Sequence, residues 1–281
     1  MPGTLYVVAT PIGNLEDVTL RALRVLREVS LIAAEDTRRT ARLLQHYSIS
    51  TRTTSLHEHN ERSRTPSLIA RLQAGESIAL VSDAGTPIVS DPGTHLVAAA
   101  HAAGIRVEPI PGPSALIAAL SASGLMEGEF IFVGFPPNRS KARHEWFTRL
   151  ATETRVIILY EAPHRIRATL DVMLATLGDR VIAVARELTK AHEELVVRPI
   201  SEFTELTLQE RGEFTVVISG KQPNIKDPVK PSAVKVAAEF GLMTDNGVLS
   251  RREALKALAK RYGLPARTVF GLLEEAKLLV D

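Results

Sequence analysis

Along the chain, short apolar runs alternate with stretches whose apolar positions recur every three or four residues. From residue 5 to about 110 the order is LYVVAT, TLRALRVLREV, LIAAED, TARLLQHY, SLIARLQAGE, SIALVSD, HLVAAAHAAG and IRVEPIPG. Runs of the first kind predict buried strands and stretches of the second predict amphipathic helices, so this βαβα order implies a mostly parallel sheet covered by helices. Gly75 and Gly104 stand where helix C-caps belong. The pattern then repeats through PSALIAALSASG, FIFVGFPP, RHEWFTRL, RVIILYEAPHR, IRATLDVMLATLG, RVIAVAREL, ELVVRPISEF and EFTVVISG. Two α/β domains follow, residues 1–112 and 113–221. KQPNIKDPVKP carries three prolines and three lysines with no apolar period and reads as a linker. A small helical module over residues 232–281 completes the expected organisation.

In open α/β sheets, ligands bind where loops leave the carboxyl ends of strands and helix N-termini present their N–H groups. The loops with unusual chemistry fall at such places: ATPIGNLED, AEDTRRT, VSDAGTPIVSDPG, PIPGPSA, YEAPHR and ARELTK. In VSDAGTPIVSDPG small residues allow close backbone approach, and Asp83 and Thr86 add polar side chains, which suits a small polar ligand. In PIPGPSA, Pro111 and Pro113 restrict the backbone around Gly112, and Ser114 stands at a predicted helix start, a pattern equally compatible with a plain strand-to-helix turn. Six such loops predict one site in a cleft between the two halves.

Composition narrows the chemistry. Zero cysteines exclude disulfides, thiolate metal sites and cysteine nucleophiles. No G-x-G-x-x-G, G-x-x-x-x-G-K-[ST] or H-E-x-x-H occurs, which removes support for a Rossmann dinucleotide site, a P-loop and a zincin. His57 and His59 in LHEHNE have the spacing of a ligand pair but read more simply as polar loop groups before a helix capped by Asn60, so no metal is expected. The start MPGTLYVVATPIG has neither a basic region nor an apolar stretch of spanning length, and the expectation is a soluble cytoplasmic protein.

The net charge of +2 is only mildly basic. Its distribution is more telling, because Arg21, Arg24 and Arg27, then Arg38, Arg39 and Arg42, then Arg139, Lys141 and Arg143 in a Pro-rich loop, and Arg251, Arg252, Lys256, Lys260 and Arg261 form four clusters. Any one cluster is compatible with a solvated face, but four together point toward a polyanionic partner. With 5% aromatics, electrostatics and shape rather than a broad stacking surface should carry nucleic-acid affinity. In AEDTRRT, Glu35 and Asp36 are either a base or hydroxyl ligand, or are neutralised by Arg38 and Arg39 with Thr37 as a helix cap. Glu161, His164 and Arg165, like Arg186, Glu187 and Lys190, fit substrate contacts and ion pairs equally.

Taken in order, TPIGNLED, AAEDTRRTARLL, SLHEHNE, LVSDAGTPIVSDPG, PIPGPSA, YEAPHR and ARELTK resemble the bacterial small-subunit (16S) ribosomal RNA (cytidine-2′-O)-methyltransferase I family of the tetrapyrrole methylase superfamily, over roughly residues 4 to 220. The resemblance implies two α/β domains holding S-adenosylmethionine in the cleft between them, a homodimer, and 2′-O-methylation of a cytidine ribose in 16S rRNA within the small ribosomal subunit. Position by position, it implies cofactor contacts at Pro11, Asp83, Ala84, Gly85, Thr86, Val89, Ser114, Ala115, Glu161 and Leu188. The first and cofactor loops depart from the Gly-Pro-Gly-Asp and Gly-Gly-Asp-Pro of tetrapyrrole-modifying members, which speaks against a tetrapyrrole substrate. For the chemistry, Asp36 or Glu35 is expected to take or orient the ribose proton, with Arg38, Arg186 and Lys190 placing phosphates. The tail segment LSRREALKALAKRYGLPARTVFGLLEEAKLLV resembles a helix-turn-helix, its turn marked by Gly263 and Pro265, either an RNA-docking module or a packing element. The rival functions are a tetrapyrrole C-methyltransferase and a non-catalytic ribosome-assembly factor.

Overall fold

The computed structural model describes residues 1–126, 128–205, 211–221, 232–245, 249–262 and 264–278, and the chain forms two compact units, Met1–Lys221 and Gln222–Asp281. Beyond Lys221 the expected linker KQPNIKDPVKP lies outside the described residues, as does Gly263 of the expected tail turn.

The first sheet of Met1–Lys221 contains β1 (Thr4–Val8), β2 (Leu31–Ala34), β3 (Thr53–Ser55), β4 (Ile78–Val81) and β5 (Arg106–Ile110), all parallel in the order β3-β2-β4-β1-β5. Every residue of β2 and β4 is buried, as expected of central strands covered on both faces. Successive side chains point to opposite faces. Ile32, Ala34, Ala79 and Val81 pack under α1 (Leu20–Glu28) and α2 (Thr37–His46), while Leu31, Ala33, Ile78 and Leu80 pack under α3 (Glu61–Gln73) and α4 (Thr94–Ala102). Gly104 follows α4 with φ +67°, and the hydrogen bonds Gly104 N–H to His101 O and Ile105 N–H to Ala100 O close its end as the C-cap reading expected. β3 carried no apolar signal, because TTS is a half-buried edge strand.

The second sheet contains β6 (Phe130–Phe132), β7 (Val156–Glu161), β8 (Val181–Arg186), β9 (Glu194–Pro199) and β10 (Phe214–Ile218), in the order β6-β7-β10-β8-β9. It is mixed. β6 and β7 are parallel, whereas β10 runs antiparallel between β7 and β8, and β9 is antiparallel to β8. One face is covered by α5 (Ala115–Ser123) and the other by α6 (Ser140–Leu150), α7 (Ile166–Leu177) and α8 (Ile200–Glu205). Lys141 and Arg143, expected in a Pro-rich loop, lie instead in the first turn of α6 with Arg139 as its N-cap, because the helix starts at Ser140, three residues after Pro137.

α3 contains Pro66, whose missing N–H and ring cost a helix interior about 3 kcal/mol. Burial of Leu68 and Leu72, at about 1.5–3 kcal/mol each, offsets that cost. The first residue of the same helix, Glu61, is buried, and its Oε1 accepts from the N–H groups of Gly93, His95 and Leu96 at 3.1, 2.7 and 3.2 Å. A carboxylate at the positive end of α4 thereby anchors the end of the VSDAGTPIVSDPG loop.

Gln222–Asp281 contains α9 (Ala233–Asp245), α10 (Arg251–Tyr262) and α11 (Ala266–Leu278), packed around Val236, Leu258, Leu264, Val269 and Leu273. No helix among the described residues is long and apolar enough to cross a membrane.

Candidate active site

The loops at the strand ends of Met1–Lys221 converge on a cleft with a cavity of about 250 Å³. Thr10 and Gly85 exchange backbone hydrogen bonds of 2.8 and 3.0 Å, joining the loop after β1 to the loop after β4. The Thr86 hydroxyl donates to Pro113 O at 3.1 Å, which ties in the turn before α5. On the far side Asn14 N–H donates to the Thr189 hydroxyl at 2.9 Å, so the first loop also meets the loop after β8.

Gly85 has φ +80°, a conformation open to glycine, and a Cβ there would stand 3.4 Å from Ile12 Cγ2 at the wall of the cleft. Two residues in the lining are flanked by unusual backbone. Val89 sits between Ile88 (φ +77°) and Ser90 (φ +68°), and Leu188 sits between Glu187 (φ +51°) and Thr189 (φ +65°). Positive φ at a β-branched residue such as Ile88 is strained, and such strain concentrates at ligand sites.

Of the positions expected to contact a cofactor, Asp83, Ala84, Gly85, Thr86 and Val89 line the cavity from the first half, and Ser114, Ala115, Glu161 and Leu188 line it from the second. Pro11 does not. Its neighbour Ile12 takes that place.

The expected catalytic group divides. Glu35 and Lys190 line the cavity, whereas Asp36, Arg38 and Arg186 do not. Asp36 is the N-cap of α2, replacing the expected Thr37. Its Oδ1 accepts from Arg38 N–H at 2.8 Å, and the Arg38 guanidinium grips both oxygens at 3.0 and 2.7 Å. Those hydrogen bonds hold the Asp36 carboxyl well below the ordinary aspartate range. Arg38 itself is 89% exposed. Arg186 is buried at the end of β8, where it pairs with Glu194 of β9 at 2.9 Å and donates to Arg211 O. Its Nε and one terminal nitrogen face Glu194 and the other terminal nitrogen faces Arg211 O, so most of the guanidinium is engaged by the protein itself.

Glu35 has a different environment. Its Oε2 accepts from Asp83 N–H at 3.2 Å, while Asp36 N–H donates to Asp83 Oδ1 at 2.9 Å, so the loops after β2 and β4 clasp each other. Burial pushes the Glu35 carboxyl up, the Asp83 N–H partly offsets this, and the nearby Asp83 charge adds to the rise. Arg39 pairs with Asp83 at 3.2 Å, and Lys190 with Glu187 at 2.7 Å.

Glu161 is buried beneath the cleft, accepting from Arg165 at 2.5 Å and from the Thr169 hydroxyl at 2.6 Å. Its neighbour Tyr160 accepts from Leu116 N–H at 3.2 Å and packs edge-on against Phe132. The burial of Tyr160 raises its phenol.

Sequence reasoning missed several lining residues. Asp91 lies in the same loop as Gly85, and burial, then the Glu35 charge, push its carboxyl up to about 7. Glu213, Phe214 and Thr215 line the cavity at the start of β10, which lies beside the carboxyl ends of β7 and β8 because β10 is antiparallel to both. Nothing in EFTVVISG announces that insertion. Ser90 and Tyr160, within motifs singled out for other members, and Phe135 of FIFVGFPP also line the cavity, as do Arg39 and Glu187, which the sequence had already offered as ion-pair or substrate groups.

The two-sheet α/β fold is shared with solved methyltransferases. Uroporphyrin-III C-methyltransferase from Thermus thermophilus, solved in complex with S-adenosylhomocysteine, superposes with a TM-score of 0.57 at 19% identity, covering 77% of this chain and 97% of that one. The sequence profile of the tetrapyrrole (corrin/porphyrin) methylases matches residues 4–204. Among curated relatives, the ribosomal RNA small subunit methyltransferase I of Synechocystis sp. is 50% identical over 275 residues, 96% of this chain and 97% of the relative. The protein of the same name from Pseudomonas aeruginosa is 50% identical over 240 residues, 83% and 85% of the two chains. The chain belongs to the tetrapyrrole methylases, and within them to the ribosomal RNA small subunit methyltransferase I family.

Proposed function

We propose that the chain transfers the methyl group of S-adenosylmethionine to the ribose 2′-hydroxyl of a cytidine in the 16S RNA of the small ribosomal subunit, working in the cytoplasm as a homodimer. The observation that carries this reading is the charge of the cleft. Glu35, Asp83, Asp91, Glu161, Glu187 and Glu213 line it, and among the described residues the lining cations are Arg39 and Lys190, each paired with an acid, while Arg165 pairs with Glu161 from beneath. Such a lining fits a small ligand carrying a sulfonium and an ammonium and disfavours a macrocycle bearing several carboxylates.

When bound, S-adenosylmethionine supplies a methyl group on a cationic sulfur, a leaving group that needs no further activation. Ala84, Gly85 and Thr86, with Ser114 and Ala115, would hold it through backbone groups that approach closely because the side chains are small. Val89, Leu188 and Asp83 complete that proposed set, with Glu161 beneath it. The chain's own catalytic task is to bring the hydroxyl into line and remove one proton, and alignment is the larger part of it. Glu35 is the proposed acceptor, since its raised pKa brings it nearer the working pH at which a general base is most effective. Lys190, held by Glu187, is the proposed phosphate contact. The basic face of α10 serves RNA docking in this reading.

The test is incubation of the protein with labelled S-adenosylmethionine and small ribosomal subunits, naked 16S RNA or a porphyrinogen, followed by nucleoside analysis. Label in 2′-O-methylcytidine is the expected result. Label in the porphyrinogen would establish the tetrapyrrole alternative, and subunit binding without transfer would establish a non-catalytic assembly factor.

A further inference from the structure

Phe135 is the most exposed phenylalanine among the described residues of Met1–Lys221, at 51%, and it lines the catalytic cleft. An exposed ring is costly, and here it is held firmly. Tyr160 N–H donates to Gly134 O at 3.1 Å, the Tyr160 ring lies 5.5 Å from Phe135 at a tilt of 54°, and Tyr160 is itself braced by Phe132 at 4.9 Å. Pro136 and Pro137 follow directly and restrict the backbone beyond the ring.

The next residues are basic. Arg139 and Lys141 are exposed at the start of α6, where no side chain caps the helix N–H groups, and Arg143, only 7% exposed, has an Nε without a hydrogen-bond partner among the described residues. The cleft lining, by contrast, is acidic. A rigid aromatic face between an acid-lined cleft and a cationic turn matches one nucleotide unit: a base that stacks, a phosphate that stays outside, and a ribose directed inward.

We propose that Phe135 is the stacking platform for the target nucleobase, unstacked from its RNA, and that Arg139 and Lys141 hold the flanking phosphates. The proposal rests on the rRNA-methylation reading above and adds to it the residue that recognises the substrate nucleotide. Removal of a stacking partner of this kind weakens binding by roughly tenfold to a hundredfold.

Full-length Phe135→Ala and Phe135→Trp are compared with the wild type by steady-state methylation of small ribosomal subunits, by calorimetry with S-adenosylhomocysteine and by thermal melting. The expected result is a kcat/KM lowered by roughly tenfold to a hundredfold in Phe135→Ala. S-Adenosylhomocysteine affinity should stay within about twofold of wild type, and Phe135→Trp should restore kcat/KM. Unchanged kcat/KM in Phe135→Ala would overturn the proposal. So would a parallel loss of S-adenosylhomocysteine affinity, which would put the cofactor's adenine on the ring, or a loss that tracks a lowered melting temperature and is not restored by tryptophan. Failure of the wild type on small subunits is a separate outcome that would overturn the substrate reading and the platform with it.

Discussion

Charge is distributed oppositely in the two compact units. Met1–Lys221 carries 24 Lys and Arg against 25 Asp and Glu, a net of −1, whereas Gln222–Asp281 carries 10 against 7, a net of +3. Pairing sharpens the contrast. In the larger unit Arg21 bonds Glu108, Arg24 bonds Glu28 at 3.1 Å and Arg39 bonds Asp83, so much of its surface arginine is neutralised locally. On α10, Arg251, Arg252 and Lys260 are exposed and form no ion pair among the described residues. A cleft lined mainly by carboxylates suits a cationic methyl donor better than a run of phosphates, so on the proposed function most of the affinity for a polyanion has to come from outside it.

The largest effect is expected at the acidic end of this contrast. Glu35→Gln should lower the single-turnover methylation rate by roughly a hundredfold or more while leaving S-adenosylhomocysteine affinity near wild type. A near-normal rate would remove Glu35 from proton transfer.

At the basic end, the triple variant Arg251→Ala/Arg252→Ala/Lys260→Ala should weaken subunit binding and reduce the slope of log affinity against log salt by about 2 to 3. Cofactor affinity should not change. An intact slope together with dissociation of a dimer would assign these helices to packing instead.

A smaller effect, of a few-fold, is expected from pH. Asp91 is held near 7 and therefore ionises between about pH 6 and 8, so S-adenosylmethionine should bind more tightly at the upper end, and Asp91→Asn should flatten the dependence. Stability should move the other way. Between the ordinary aspartate range and about 7 the folded chain holds a proton that the unfolded chain has released, so wild-type stability falls as pH rises through that window. Asp91→Asn should lack this slope in melting experiments across pH 4 to 8.

The smallest effect is expected next door to Glu35. Asp36→Ala removes the cap of α2 and should lower the melting temperature by a few degrees, whereas Asp36→Asn keeps a capping side chain and should cost less. Both variants should methylate at close to the wild-type single-turnover rate.

These adjacent carboxylates show where sequence reading reached its limit. AEDTRRT announced a strand end, a helix start and two acids, but capping and catalysis ask for the same residue types. One residue of helix phase gives the two acids different surroundings. Because α2 begins at Thr37, Asp36 is turned back to cap it and Glu35 remains at the cleft. Arg186 was ambiguous in the same way, and the antiparallel β9 brings Glu194 to its guanidinium.

What the linear order determined by itself was the local syntax: apolar runs long enough for buried strands, glycines such as Gly104 where positive φ ends a helix, and the small-residue loop around Gly85. Each depends on a few consecutive residues whose backbone preferences and alternation are intrinsic to the chain. Tertiary structure alone decided that β10 enters antiparallel between β7 and β8, which carries Glu213, Phe214 and Thr215 to the cleft, and that Asp91 and Glu35 share one desolvated space. Strand order and burial depend on packing between segments far apart in the chain, so no local pattern encodes them.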